Sequence, residues 1–256
     1  MWKARVAFGA SSLCPSAVMI LPTLAIGLGL GSALAQGPYV DPKTAEGWAW
    51  AQIERSEAAD FNERCNTVAL DPKDEKDTRW GDECRKLSAR FLQDLLTRAP
   101  WREATPFAGV QIKGARIVGD IDLENAKLIR SISILASRID GSVNLVRSRT
   151  DSLIWLEGSL MSGHFDAGGL HSATDLLLIS SVFKDEVSIS GAKIDGGVVM
   201  TGASFAGKLD ASRLQIGGSL LLDSGGHDTA IFKDVDLTDA RVGAQLNMAG
   251  ARFDGV

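Results

Sequence analysis

From residue 106 onward the apolar side chains abandon helical spacing and alternate in short runs. Ile132 and Ile134, Ile154 and Leu156, and Leu176 and Leu178 each bracket one intervening residue, and small or polar residues separate the runs. That alternation is the mark of a strand with one buried face. The runs also return at a fixed interval of 22 residues, with starts at Ala115, Ser137, Ser159, Ser181 and Ala203. Four extra residues around 224–228 move the next start to Thr229, and Ala251 opens a further coil. Two places after each start stands an apolar residue: Ile117, Ile139, Met161, Phe183, Phe205, Ile231 and Phe253. Gly119, Gly141, Gly163, Asp185 and Gly207 follow, as at a corner that needs unusual backbone angles. Ile121, Val143, Phe165, Val187, Leu209 and Val235 form the next apolar column.

A strand of four or five residues cannot bury its apolar face alone. Stacking one coil on the next pairs each strand with its equivalent and makes the apolar columns a continuous interior. The pattern therefore predicts a mainly β fold: a parallel β-helix solenoid of about six 22-residue coils over residues 105–256. Ahead of it, residues 41–104 carry Trp48, Trp50, Trp80 and Trp101 at helix-like spacing. Helices are expected over 45–61 and over 85–98, the second with Leu87, Phe91, Leu92, Leu95 and Leu96 on one stripe before Pro100 stops it. The charged stretch 71–77 between them is expected to be a solvated loop. This segment is predicted to be a small α-helical cap domain.

Segments 114–123 (GARIVGDIDL) and 191–196 (GAKIDG) resemble the pentapeptide-repeat proteins, in which a small residue sits two places before a central Leu, Ile or Phe. The resemblance covers residues 106–256, although the 22-residue coil is longer than that family's four pentads. It implies a right-handed, square coil and often end-to-end dimers. It implies no catalytic residues. The DNA-mimicking role of some members conflicts with export.

Export is read from the first 35 residues. Lys3 and Arg5 precede an uncharged apolar stretch over 17–30, and Ala33, Leu34 and Ala35 form a small-residue cleavage site. Localisation is accordingly periplasmic or secreted, with a membrane association only through an uncleaved signal. Without Lys3 and Arg5 the 27 basic side chains fall to 25 against 32 acidic ones, a formal charge of −7. That balance argues against nucleic acid as a partner. The remaining cysteines, Cys65 and Cys84, are expected to form a disulfide in an oxidising compartment. No histidine lies between them to complete a zinc site.

Recognition would have to use outward positions. One column reads Asp122, Asn144, Asp166, Ser188, Asp210 and Asp236, and another Lys127, Arg149, His171, Lys193, Gln215 and Arg241. These are candidate charged strips, or simply the polar outside of a strand. A third column is less expected: Trp155, Leu177, Val199 and Leu221 face outward by alternation, between Ser133 and Asn247. A contiguous apolar strip marks an interface or a surface covered by another part of the chain.

His164, His171 and His227 show no metal spacing, and no nucleophile or phosphate-loop motif occurs. Asp166 and Asp210 stand two coils apart, wide for a glycosidase pair, and no long loops build a cleft. The sequence thus predicts no cofactor and no catalysis. It predicts a structural or binding module with a protein partner, a second copy included. The alternative is a carbohydrate-binding or carbohydrate-active β-helix. The strand edges of the last coil add an expectation of head-to-head dimers or a longer natural chain.

Overall fold

In the computed structural model, the described residues are 40–226 and 228–255. The export signal read over 1–35, with Lys3, Arg5, Cys14 and the cleavage site, lies outside them, as does His227. The chain from residue 110 onward is a parallel β-solenoid of about six coils; the first four have four short strands each, and in the next two the second and third strands merge into Ser204–Asp210 and Ile231–Asp236. One coil holds Ile132–Leu135, Arg138–Ile139, Val143–Asn144 and Arg149–Thr150. Each pairs in parallel with its equivalent 22 residues later: Ile154–Glu157, Leu160–Met161, Phe165–Asp166 and His171–Ser172. These four strand positions are called the first to fourth faces below.

The inward columns make one interior. Ile117, Ile139, Met161 and Phe183 lie in register and are at most 2% exposed. The small start column has a physical cause. Buried Ser137, Ser159 and Ser181 each accept a backbone N–H from the preceding coil: Ala115 N to Ser137 Oγ is 3.1 Å, Ser137 N to Ser159 Oγ 3.2 Å and Ser159 N to Ser181 Oγ 3.3 Å. A larger side chain would fill the corner and leave those donors without partners.

Two column assignments are corrected. After the insertion, Phe205 pairs with Phe232, not Ile231, and the small start position is the buried Ala230, not Thr229. The register then shifts by one residue between Phe205 and Lys208, so that Leu209 meets Val235. The reason is aromatic stacking: Phe183, Phe205, Phe232 and Phe253 form a ladder with ring centroids 4.8, 5.0 and 5.3 Å apart and planes within 17° of parallel. The glycine corner is the second correction. Only Gly119 in that column has a positive φ, +97°; at Gly141, Gly163 and Gly207 what excludes a side chain is the previous coil. A Cβ on Gly141 would come within 2.3 Å of the Gly119 carbonyl oxygen.

The N-terminal segment is built into the solenoid. Helix α1 (Ala45–Glu54) starts at Thr44, whose Oγ1 accepts the Gly47 N–H at 3.0 Å. It ends well short of 61, because Ser56 takes a positive φ and Ala59–Asp60 becomes a strand paired with Ile112 and Lys113. A short helix α2 (Phe61–Arg64) follows. Residues Lys86–Ser88, expected to be helical, are a strand instead: Leu87 sits in register on Ile117 and so begins that apolar column. Helix α3 (Ala89–Thr97) starts only at Ser88, whose Oγ accepts the Phe91 N–H. Its buried Leu92 and Leu96 close the end of the interior, lining with Ile121, Ile132 and Phe165 an apolar cavity of about 30 Å³. With no polar lining, that space stays dry. Helix α4 (Trp101–Ala104) places Trp101 edge-on to Trp50 and Phe91.

Cys65 and Cys84 are bonded, with Cα atoms 5.5 Å apart. They join the end of α2 to the one-turn helix Glu83–Arg85, not two long helices as expected. Within the arm they bracket, the charged stretch 71–77 is a loop with Asp71, Lys73, Asp74, Glu75 and Lys76 exposed, as expected, but the arm is anchored on the solenoid. Trp80 is 1% exposed and donates its indole N–H to the Asp71 carbonyl at 3.1 Å. The guanidinium of Arg138, on the second face, lies 4.7 Å over that ring and donates to the Pro72 and Asp74 carbonyls. Glu75 pairs with Lys184, and Lys73 with Asp228 at 3.5 Å. The arm therefore runs along the second face. Leu160, the outward residue between Arg138 and Val182, is only 5% exposed.

Candidate interaction surfaces

The first face carries the apolar strip. Ser133, Trp155, Leu177, Val199, Leu221 and Asn247 pair in unbroken register along one sheet. Trp155, Leu177, Val199 and Leu221 are all half-buried, by their sheet neighbours. Glu157 accepts the Trp155 indole N–H at 2.9 Å, which fixes the ring against the strand. Ile179, two places beyond Leu177, continues the apolar surface sideways. The N-terminal helices lie at the solenoid end and the disulfide-tied arm on the second face. The main element contacts of the strip's strands are with their neighbours in the same sheet.

The acidic column lies on the third face, where each residue caps the backbone of its own corner. Asp122 accepts the Glu124 N–H at 3.1 Å, Asn144 that of Val146 at 3.0 Å and Asp166 that of Gly168 at 2.8 Å. Asp210 accepts from Ser212 at 2.9 Å and Asp236 from Thr238 at 3.0 Å. Ser188 repeats the contact to Ser190 at 3.5 Å. A side-chain oxygen two residues before a turn satisfies a donor that the corner would otherwise leave open. Asp, Asn and Ser share that ability, which explains their alternation in one column. The Asp236 carboxyl is held down to about 2 by hydrogen bonds from Thr238 and by Lys208, 3.1 Å away.

The basic column occupies the fourth face. Lys127, Arg149, His171, Lys193, Gln215 and Arg241 are in register across six strands, and all are exposed. Within 4.0 Å of the Lys127, Arg149, Lys193 and Arg241 nitrogens there is no carboxylate among the described residues. Three cations elsewhere on the coils are paired: Arg116 with Asp140 at 2.7 Å, Lys208 with Asp236 and Arg147 with Glu124. The His171 Nδ1 lies 3.0 Å from the Gly169 carbonyl and donates to it.

No family model, curated protein or solved structure matches this chain.

Asp166 and Asp210 are separated by Ser188 in the third-face register, two strand spacings or about 10 Å. Each carboxylate is engaged by its own turn. His164 and His171 lie on different faces. Among the described residues, no group of three or more His, Cys, Asp or Glu side chains is placed to hold a metal ion, and no helix is long and apolar enough to cross a membrane.

The sequence missed Arg85. It is fully buried, donates to the Gly114 carbonyl at 2.6 Å and to Thr67 Oγ1 at 3.0 Å, and lies 5.2 Å from the Trp80 ring centroid. It ties the arm to the first coil. No spacing marks an arginine whose partners come from three separate segments.

Proposed function

We propose that this chain is a non-catalytic binding scaffold of the cell envelope or exterior, whose first face docks a protein partner or a second copy of the chain. The observation that carries this reading is the strip Trp155, Leu177, Val199 and Leu221, apolar and outward in four successive coils. Exposed apolar residues scattered singly need no explanation, but a contiguous row on a flat sheet is an interaction surface. A ladder of paired strands beneath it holds the side chains in fixed positions, so little conformational freedom is lost when they are covered.

Export to the periplasm or outside the cell is part of the proposal. Its support is the charged start, apolar core and Ala-Leu-Ala site of the first 35 residues, together with a bonded cysteine pair that suits an oxidising compartment. We also read the coil as a lengthened form of the pentapeptide-repeat coil. Four strands per turn in the first four coils and a small residue two places before the apolar residue of the second face support that relation.

A photo-crosslinking residue placed at Val199 tests the docking face in the native envelope. The expected result is one adduct of defined mass, abolished when Leu177→Glu is added. Absence of any adduct, together with a monomer at every concentration by light scattering, would overturn the reading. The second reading, a carbohydrate-binding solenoid, draws its support from a different face.

A further inference from the structure

We infer that the fourth face is a binding groove for a linear acidic polysaccharide, one that carries a carboxylate and several hydroxyls in each repeat. The inference rests on the carbohydrate-binding reading and is independent of the apolar strip.

Three observations converge on it. The first is a row of like charges without local partners. Lys127, Arg149, Lys193 and Arg241 share one register position on one sheet; Lys127 and Arg149 are directly opposed and repel, while His171 and Gln215 separate the others. Arg116, Arg147 and Lys208 on the other faces form ion pairs, whereas on this face Asp151 and Asp195 stand beside the row without closing to ion-pair distance. The chain as a whole has a formal charge of −5, which makes a cationic row a local exception and not the spread of a basic composition. A bound anion would supply the missing partners.

The second observation is shape. An open groove of about 400 Å³ runs over the middle coils, lined by Arg149, Asp151, His171, Ala173, Lys193 and Asp195 among others. A second, of about 560 Å³, lies further along the same face at Gln215, Arg241 and Arg213. Space is left beside the row because the next outward position is small in three coils, at Ala173, Gly217 and Gly243. The row repeats every strand, about 4.8 Å. That is close to the length of one sugar ring in an extended chain, so successive rings meet successive positions of the row, with Arg149 and Lys193 two rings apart on either side of His171.

The third observation separates this ligand from other polyanions. Asp151 and Asp195 stand in the groove beside Arg149 and Lys193. Carboxylates there accept hydrogen bonds from hydroxyls, and they repel a backbone that carries phosphate at every step. Single-stranded nucleic acid also needs aromatic platforms for its bases, and the outward positions of this face hold no Phe, Tyr or Trp.

The full-length chain should be titrated with polygalacturonate oligomers of fixed length, with their methyl-esterified form, and with a single-stranded DNA of equal charge. The acid form is expected to bind, with an affinity that falls as salt rises. Esterification, or the double variant Arg149→Gln with Lys193→Gln, should weaken binding about tenfold or more. Lys233→Gln, an exposed cation off this face, and Leu177→Glu on the first face should leave it unchanged. Both cationic substitutions are on exposed positions, and circular dichroism should show that the coils persist. No binding of the acid form at low salt, equal binding of the DNA, or equal loss with Lys233→Gln would each overturn the inference. None of those results bears on the crosslink at Val199.

Discussion

Leu87 and Ile117 are neighbours in one apolar column, yet the regions they come from are held together in different ways. From Ile117 onward the contacts largely repeat from coil to coil: Ile on Ile, Phe on Phe, a serine hydroxyl on the next backbone N–H. Such a stack has stability close to a sum of coil and neighbour terms. Before Ile117, each contact is used once. Arg85 reaches Gly114 and Thr67, Trp80 lies between two guanidinium groups, and one disulfide closes the arm. A substitution in the coils therefore removes one rung of a ladder, whereas a substitution in the N-terminal segment removes a link with no duplicate.

The largest effect is expected from Phe205→Ala. Phe205 is 1% exposed and stacks on Phe183 and Phe232, so its removal opens a cavity in the middle of the ladder. The loss should be about 3–5 kcal/mol, read from the urea midpoint. Hydrogen exchange locates it: protection should fall in the coils on both sides of residue 205 and hold at Ile53 and Leu92. A uniform fall across both regions would show a single cooperative unit and dissolve the contrast.

Replacing both cysteines by serine comes next. The bond closes a loop with a sequence separation of 19, and its removal should cost about 3 kcal/mol by the chain-entropy relation. Here the expected pattern is reversed. Trp80 fluorescence should shift as the arm leaves the second face, while the coils beyond Leu160 keep their protection. Loss of the coils as well would mean that the arm clamps them, through Arg138 and Lys184, more strongly than the stack holds itself.

The same contrast explains what could be read from the residues. Repetition writes each contact into the sequence several times, so the 22-residue interval, the inward columns and the outward strip were all legible. Legibility failed where repetition did. The insertion before Ala230 is compensated only after Phe232, and Ile231 beside it is apolar too, so hydrophobicity alone did not fix the register. Thr150 and Ser172 are buried on the fourth face, each bonded to the backbone two residues on, and so hide that face from a search for apolar alternation. Residues 86–88 carry helix-compatible side chains, and only the column they join makes them a strand. The acidic column was visible as a column. Its use for turn capping depends on which backbone N–H lies nearest, a matter of corner geometry.

The smallest effect, and the sharpest comparison, comes from acid. Asp236 in the coils and Asp60 in the N-terminal segment both have carboxyls held below the ordinary aspartate value of 3.8. At Asp236 the Thr238 hydroxyl and N–H come first and Lys208 adds to them, bringing it to about 2. At Asp60 burial pushes upward, but Lys113 at 2.9 Å and the Asn62 N–H outweigh it. A folded-state value below the unfolded one means that the contribution is complete above 3.8 and disappears as pH falls through the folded value. The Asp236 link should therefore weaken between about pH 4 and pH 2, loosening the corner before Thr238, and the Asp60 link as pH falls below 3.8, loosening the junction of Ala59–Asp60 with the first coil. Asp236 is half-buried and its partner Lys208 is partly open to solvent, so salt should diminish its share. Exchange measured residue by residue down this range should show two separate acid-sensitive sites. Asp236→Asn, which keeps a turn acceptor but no charge, should flatten the response at the first site only, and Asp60→Asn at the second only. If either variant flattened both, the carboxylates would be coupled through the stack, and the N-terminal segment would behave as one more coil and not as a separate kind of structure.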